Sequence, residues 1–318
     1  MAVILRGILI LLPAALLFGA CNPAAPPTAS PTTAANACEK ESLPVLNSGT
    51  LTLSTDIPAF PPWWGGDAAE EYANEPEGGS EWSTADFSAE PYSMEGFEGA
   101  VAYAIAEAMG FTPAEVEWIA NPVFEQAFAP GDKPFDFHMA QVSIREDRAQ
   151  AVDFSEPYFD ANQSLLALLD NDIVGASSIE ELKEYRLGAA ANTTSFQLIE
   201  EVIQPNVEPR VFPDNATALT ALSVGGEDGI AGLIVDLGTA FYMRDAELDD
   251  FDTPEPEGRI VGQFGESVQV DQVGAVLDKD SPLTACVNQA IAAIKADGTL
   301  ASILDQWINS GQEIPFLE

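Results

Sequence analysis

Positive charge is what this sequence has least of: 12 Lys and Arg stand against 51 Asp and Glu, a formal net charge of −39. A chain so acidic cannot offer the basic face that phosphate binding needs, which excludes nucleic acid as a partner. It also excludes a peripheral protein held electrostatically on anionic lipid. Histidine occurs once, at His138, and cysteine three times, with no Cys-x-x-Cys and no Cys/His cluster. Zinc and thiol-redox chemistry are therefore not expected, and no cofactor is expected either. The N-terminal apolar run Ile8–Phe18 is too short for a spanning helix, which needs about 20 residues. What remains is ample core material. The 318 residues are 47% hydrophobic and 20% charged, a globular composition of about two domains' length.

Residues 1–20 combine one cation, Arg6, the short apolar run and the small pair Gly19–Ala20, which reads as a secretion signal. Cys21 follows, so the segment resembles the lipobox of bacterial lipoproteins, with Phe18 where Leu is usual. An ordinary signal with an incidental cysteine is the alternative. The resemblance implies acylation of Cys21 and an extracytoplasmic, membrane-anchored protein. Residues 22–37 hold four Pro, six Ala and no charge or aromatic group. Such a stretch cannot bury enough surface to fold, and residues 21–42 are expected to be a tether. The remaining cysteines, Cys38 and Cys286, form an even pair, which outside the cytoplasm reads as a disulfide.

The body opens with GTLTLSTD (residues 49–56), an alternating strand pattern ending in Asp56. An excursion rich in Pro, Trp and acids follows. From Gly65 to Glu98 it carries ten Asp/Glu and no Lys or Arg, and is expected to be a solvated surface segment. GFEGAVAYAIAEAMG (96–110) has helical spacing, with Gly110 placed for a left-handed cap. Strand-like VEWIA and FDFHMAQVS come next, then SLLALL, RLGAA and GIAGLIVD, interleaved with helical text. This alternation indicates an α/β architecture with a largely parallel sheet. Ser178 with Glu181, Thr194 with Gln197, and Asn215 are candidate helix caps. The acidic run 245–257 lacks the Gly and Glu positions of an EF-hand loop and reads as solvated. Two amphipathic helices, broken at Gly298, close the chain.

Six of these fragments occur together in the order found in a known family. GTLTLSTD, GFEGAVAYAIAEAMG, FDFHMAQVSIREDRAQAVDFSEPYF, LGAAANTTS, GIAGLIVD and IKADGTLASI resemble the solute-binding proteins of ABC importers that capture polar amino acids. The likeness covers about residues 43–310, and SIREDRAQAVDFSEPY (143–158) is its most specific motif. It implies a type II, periplasmic-binding-protein-like clamshell of two α/β lobes with a ligand cleft between them. Lobe 1 would comprise 43–163 and 263–318, lobe 2 would be 164–262, and the Cys38–Cys286 bridge would lie within lobe 1. The implied partners are a small polar amino acid, the ABC permease with its ATPase subunits, and the membrane through the lipid anchor. The protein itself would be a monomer.

A zwitterion needs a cation for its carboxylate, an anion for its ammonium and a wall for its side chain. Ligands of open α/β sheets sit beyond the carboxyl ends of strands, where Arg148 falls. Its planar fork suits a bidentate grip on carboxylate. By resemblance Arg148 is the carboxylate-binding arginine, with Gln141 and Ser143 beside it; a surface pair with Glu146 or Asp153 is the alternative. Asp236 matches the ammonium-binding acid, or else caps the helix after it. Thr193 and Thr194 open a helix and would meet the ligand carboxylate from lobe 2, or serve as caps. Asp56, Phe60 and Trp63 match the loop enclosing the ligand side chain. Where the family has Thr and Asp, this sequence has Arg145 and Ala100, so any contact through that Asp is absent.

An enzyme is the main competing class. A hydrolase would need a Ser-His-Asp set or a metal, and a lone His138 in a strand reads as a core residue. A cyclohexadienyl-dehydratase-like activity on the same fold, with Asp236 as acid or base, is the remaining catalytic alternative. A ligand-sensing module is another, against which stands the short text after the last expected lobe helix. Detergent partition tests the anchor. The mature protein is expected in the detergent phase, and Cys21→Ser in the aqueous phase or with its leader uncleaved. Equal aqueous partition of both, after normal cleavage, rules out acylation.

Overall fold

A computed structural model describes residues 38–56, 61–64, 95–121, 123–225, 229–248, 258–265, 268, 270–308 and 311–318. The signal and tether, Cys21, Phe60 and most of the acidic excursion lie outside the described residues, as does the side chain of Asp56. Two mixed sheets organise the chain. The first has the order β2-β1-β3-β11-β4, formed by Val116–Asn121, Leu51–Asp56, Phe137–His138, Val276–Leu277 and Asp153–Phe154. The second has the order β12-β9-β5-β8-β6-β7, formed by Phe316–Leu317, Gly258–Phe264, Phe159–Leu168, Gly232–Asp236, Leu187–Ala190 and Arg210–Phe212. β10 (Val270–Val273) pairs with the first half of β5.

Neither sheet is largely parallel. β1 runs parallel to β2 and β3, but β11 is antiparallel to β3 and β4. In the second sheet β6 is parallel to β7 and β8, whereas β5 is antiparallel to β8, β9 and β10. The physical reason is the path: the chain passes between the lobes as strands laid back to back, so β5 and β10 must run in opposite directions. The C-terminal residues also depart from expectation. Instead of staying with lobe 1, Phe316 and Leu317 pair with β9, and Leu317 is buried in the lobe-2 core.

Each lobe has its own core. In lobe 1, Leu51 and Leu53 of β1 face α1 (Phe97–Ala108) and α6 (Thr284–Ala296), where Val101, Ile105, Val287 and Ile291 are buried. On the opposite face of β1, Ser54 Oγ lies 3.0 Å from His138 Nδ1. His138 is fully buried, and burial with Lys133 nearby holds its imidazole down at about 3, so it is a neutral core residue. In lobe 2 the sheet is buried on both faces: Leu165 and Ile234 point into one cluster, Leu166, Leu233 and Val235 into the other. That double burial explains why SLLALL and GLIVD read as unbroken apolar runs. The strand begins five residues earlier than the apolar run, because its first half is hinge.

Helix ends follow the expected rules with small shifts in place. Gly110 follows the cap Met109 at φ +89°, and Gly298, at φ +86°, separates α6 from α7 (Thr299–Trp307). Asp214, not Asn215, caps α4 (Asn215–Val224), accepting from the Thr217 N–H at 2.6 Å. Glu181 of α2 (Ile179–Leu182) accepts from the Ser177 N–H at 2.7 Å, and Ser178 makes no side-chain cap bond. Among the described residues no helix is long and apolar enough to cross a membrane. Cys38 is disulfide-bonded to Cys286, whose side chain is buried in the lobe-1 core. The bond closes a loop of 248 residues, so Cys286→Ser is expected to lower the unfolding free energy by about 2–5 kcal/mol. Chemical denaturation of wild type and variant, with an unchanged midpoint counting against it, checks this.

Candidate functional site

The cleft lies where strand ends of the two lobes approach each other. Arg148 follows β3 in a short turn, and only 6% of it is exposed. Its Nη1–H donates to the Ser143 carbonyl at 2.9 Å, and its Nη2–H crosses the cleft to the Asn192 carbonyl at 2.8 Å. Asn192 adopts a left-handed backbone, φ +60°, in the turn between β6 and the helix α3 (Thr194–Gln197) that presents this carbonyl. The guanidinium sits over the Phe128 ring at 4.3 Å and the Phe124 ring at 5.6 Å. Among the described residues Arg148 makes no ion pair; Asp147 pairs with Arg145 and Asp153 with Lys279. Burial lowers it to about 10, so it remains charged at neutral pH. A buried cation held by carbonyls and aromatic rings, with no carboxylate partner among the described residues, is a strong electrostatic host for an anion.

An open cleft of about 680 Å³ borders this group, with Phe128, Arg145 and Arg148 from lobe 1 and Asn192, Thr193 and Phe196 from lobe 2. Thr193 caps α3 (Thr194–Gln197), accepting from the Phe196 N–H at 3.2 Å, and its hydroxyl donates to the Ala190 carbonyl. The expected Thr194–Gln197 box is not the cap, because the cap position falls on Thr193, one residue before the one that spacing assumes. Thr194 points elsewhere: its hydroxyl donates to Asp271 Oδ2 at 2.6 Å, and Gln163 donates to the same carboxylate at 2.7 Å. The two threonines thus serve the cleft wall and the hinge respectively. Asp236 ends β8 and caps α5 (Leu237–Tyr242), accepting from the Thr239 N–H at 2.8 Å. Burial raises its carboxyl above the usual range, with the Asp271 charge adding in the same direction.

Glu98, read from sequence as part of a solvated acidic stretch, is fully buried. It accepts from the Gln141 N–H at 2.8 Å, from Gln141 Nε2 and from the Tyr158 hydroxyl. Gln141, expected beside Arg148, spends its amide on Glu98 from a left-handed backbone at φ +50°. Desolvation raises Glu98 to about 7, opposed by these hydrogen bonds and supported by Asp236 across the cleft. Glu98 was legible only through its place in the first turn after Gly96–Phe97. Asp271 and Gln163 carried no sequence signal of their own, while Tyr158 and Asn192 lie in the family-like fragments without being marked there as site residues. Trp63 is 2% exposed and reaches lobe 2, where its Nε1–H donates to Thr239 Oγ1 at 2.8 Å.

The raised Glu98 carboxyl has a sign that can be read in stability. In the unfolded chain it ionises near 4.5, in the native protein near 7. Between these values the native state holds the extra proton, so stability falls as pH rises and the full loss is present above 7. The loss is on the order of 3 kcal/mol. Glu98→Gln is expected to flatten unfolding free energy against pH over this window. Parallel wild-type and variant curves from urea denaturation would contradict it.

The chain is similar in sequence and fold to known proteins. The family model described as bacterial extracellular solute-binding proteins, family 3, matches residues 80–310. The L-cystine-binding protein TcyJ of Escherichia coli (strain K12) is 26% identical over 179 residues, covering 56% of this chain and 62% of that protein. The ABC transporter glutamine-binding protein GlnH of Bacillus subtilis (strain 168) is 30% identical over 175 residues, covering 54% and 58%. The chain therefore spans about three-fifths of the length of these curated relatives. The solved structure of an ancestral arginine-binding protein bound to arginine superposes with a TM-score of 0.61 at 26% identity, covering 82% of this chain and 99% of that one. The match to the family model spans most of the sequence and includes strands of both sheets, and the chain belongs to the bacterial extracellular solute-binding proteins of family 3.

Proposed function

We propose that this protein is the substrate-binding component of an ABC importer, capturing a small polar amino acid outside the cytoplasmic membrane and delivering it to the permease. The observation that carries the reading is Arg148: a buried, charged guanidinium without an ion-pair partner among the described residues, touching both lobes. A ligand carboxylate supplies the charge it lacks. Asp236, at the end of β8, is the acid offered to the ammonium, and an amino acid held by both lobes binds the closed form better than the open one. Cys21 acylation would keep the binding protein at the membrane beside its permease and ATPase subunits, acting as a monomer. By the family resemblance, Asp56, Phe60 and Trp63 belong to the loop that would enclose the ligand side chain.

Arginine, glutamine and cystine, named in the relatives, are the first ligands to screen by thermal shift. Mass spectrometry of solute released from the purified protein identifies the natural one. Arg148→Ala leaves the ligand carboxylate desolvated and unpaired, so affinity is expected to fall by about 2–5 kcal/mol, roughly 30- to several-thousand-fold. An ammonium on a flexible stem cannot reproduce the fork, and Arg148→Lys is expected to recover only part of the loss. Unchanged affinity for Arg148→Ala by calorimetry removes this residue from the site. The bound solute is expected back chemically unchanged; turnover that Asp236→Asn abolishes would establish the dehydratase alternative instead.

A further inference from the structure

One aromatic side chain crosses the cleft in a way the amino-acid reading does not use. By its backbone Trp63 belongs to lobe 1. Its carbonyl accepts from the Glu98 N–H at 2.8 Å and the Gly99 N–H at 3.3 Å, anchoring it to the first turn of α1. Its ring meets Phe97 and Phe159 edge-on, with centroids 5.8 and 5.4 Å apart. The far edge of the indole is seated in lobe 2. Besides the bond to Thr239 Oγ1, a Cβ built on Gly238 would lie 2.8 Å from Trp63 Cζ2. Gly238 does not have a positive φ, so it is the ring and not the backbone that requires glycine there.

This contact exists only with the lobes together, since Trp63 belongs to the lobe-1 core and Gly238 and Thr239 to a lobe-2 helix. It also bears on the ligand site indirectly. The Thr239 that receives the indole is the residue whose N–H holds Asp236 Oδ1. We propose that Trp63 is the positioning residue of closure: its indole, seated on Gly238 and bonded to Thr239, fixes how far the lobes close and so where Asp236 stands relative to Arg148. A buried indole N–H needs an acceptor, and a tight aromatic contact tolerates no extra methyl. Opening exchanges the bond for water, so the bond itself weights the open-to-closed ratio about fivefold.

The proposal rests on the two-lobe binding reading for its ligand arm only. Trp63 itself is part of the lobe-1 core, so the test uses lobe-2 variants: Thr239→Val, which removes the acceptor, Thr239→Ser, which keeps it, and Gly238→Ala, which obstructs the ring. Small-angle scattering of the full chain, without added solute, reads the closure. Thr239→Val and Gly238→Ala are expected to have a larger radius of gyration than wild type, with Thr239→Ser matching wild type. L-arginine and L-glutamine are then added; with whichever raises the wild-type melting temperature, affinity is expected to fall about fivefold in Thr239→Val and further in Gly238→Ala. Equal radii across the four proteins overturn the assignment. If neither amino acid shifts the melting temperature, the ligand arm fails, and the radii without solute still decide for or against Trp63.

Discussion

A single ten-residue strand belongs to both halves of the molecule, and much else follows from it. The first half of β5, Phe159 to Asn162, pairs with β10, while the second half pairs with β8 and β9. Backbone hydrogen bonds therefore run without interruption from the hinge into the lobe-2 sheet. Two passages between the lobes, β5 and β10, are strands in one ladder, and a third leads from α7 to β12 on the lobe-2 sheet. Gln163 stands at the changeover and donates to Asp271 of β10, which also receives Thr194. The hinge is thus hydrogen-bonded to the helix start that forms one wall of the cleft.

Arg148 lines the cleft and Glu98 is buried beneath Gln141 and Tyr158, and neither makes an ion pair among the described residues. Arg148 is held by two carbonyls and two aromatic rings, and Glu98 by the Tyr158 hydroxyl and by both the backbone and the side-chain amide of Gln141. Burial pushes both toward their neutral forms, Arg148 down to about 10 and Glu98 up to about 7. Ion pairs within the site would cancel this tension. On the proposed amino-acid-binding function, leaving it in place gives a zwitterion more to gain on entering than it would from a neutral cleft. The positions are enforced by backbone conformations that side chains rarely adopt, left-handed at Gln141 and Asn192. Asn is a type that tolerates that region, and Gln141 is compensated by its hydrogen bonds to Glu98.

The net charge of the chain and the charge of the cleft are separate matters. The total of −39 draws on acids along the whole sequence, with concentrated runs at 65–95 and 245–257. It bears on solubility and on which partners are repelled. The cleft instead depends on a handful of buried groups whose environment, not number, sets their behaviour. Arg145 shows the difference: its side chain is neutralised by Asp147 at 2.9 Å, two residues away, whereas Arg148 in the same turn is not.

The sequence by itself determined the α/β class, the apolar runs of the lobe-2 strands, the glycine caps at Gly110 and Gly298, and the motif around Arg148. These are local: periodicity, φ preference and adjacent residues carry them. It also held the cysteine pair, because only two cysteines remain after Cys21. Tertiary structure decided the rest. Glu98 reads as solvated acid until Gln141 and Tyr158, 43 and 60 residues away, close over it. Thr193 and Thr194 are equivalent in the sequence, yet one caps α3 and the other turns to Asp271. Phe316 and Leu317 follow the last lobe-1 helix but add to the lobe-2 sheet, since an unpaired β9 edge lay within reach. Such outcomes depend on contacts between distant segments, whose partners no local pattern names.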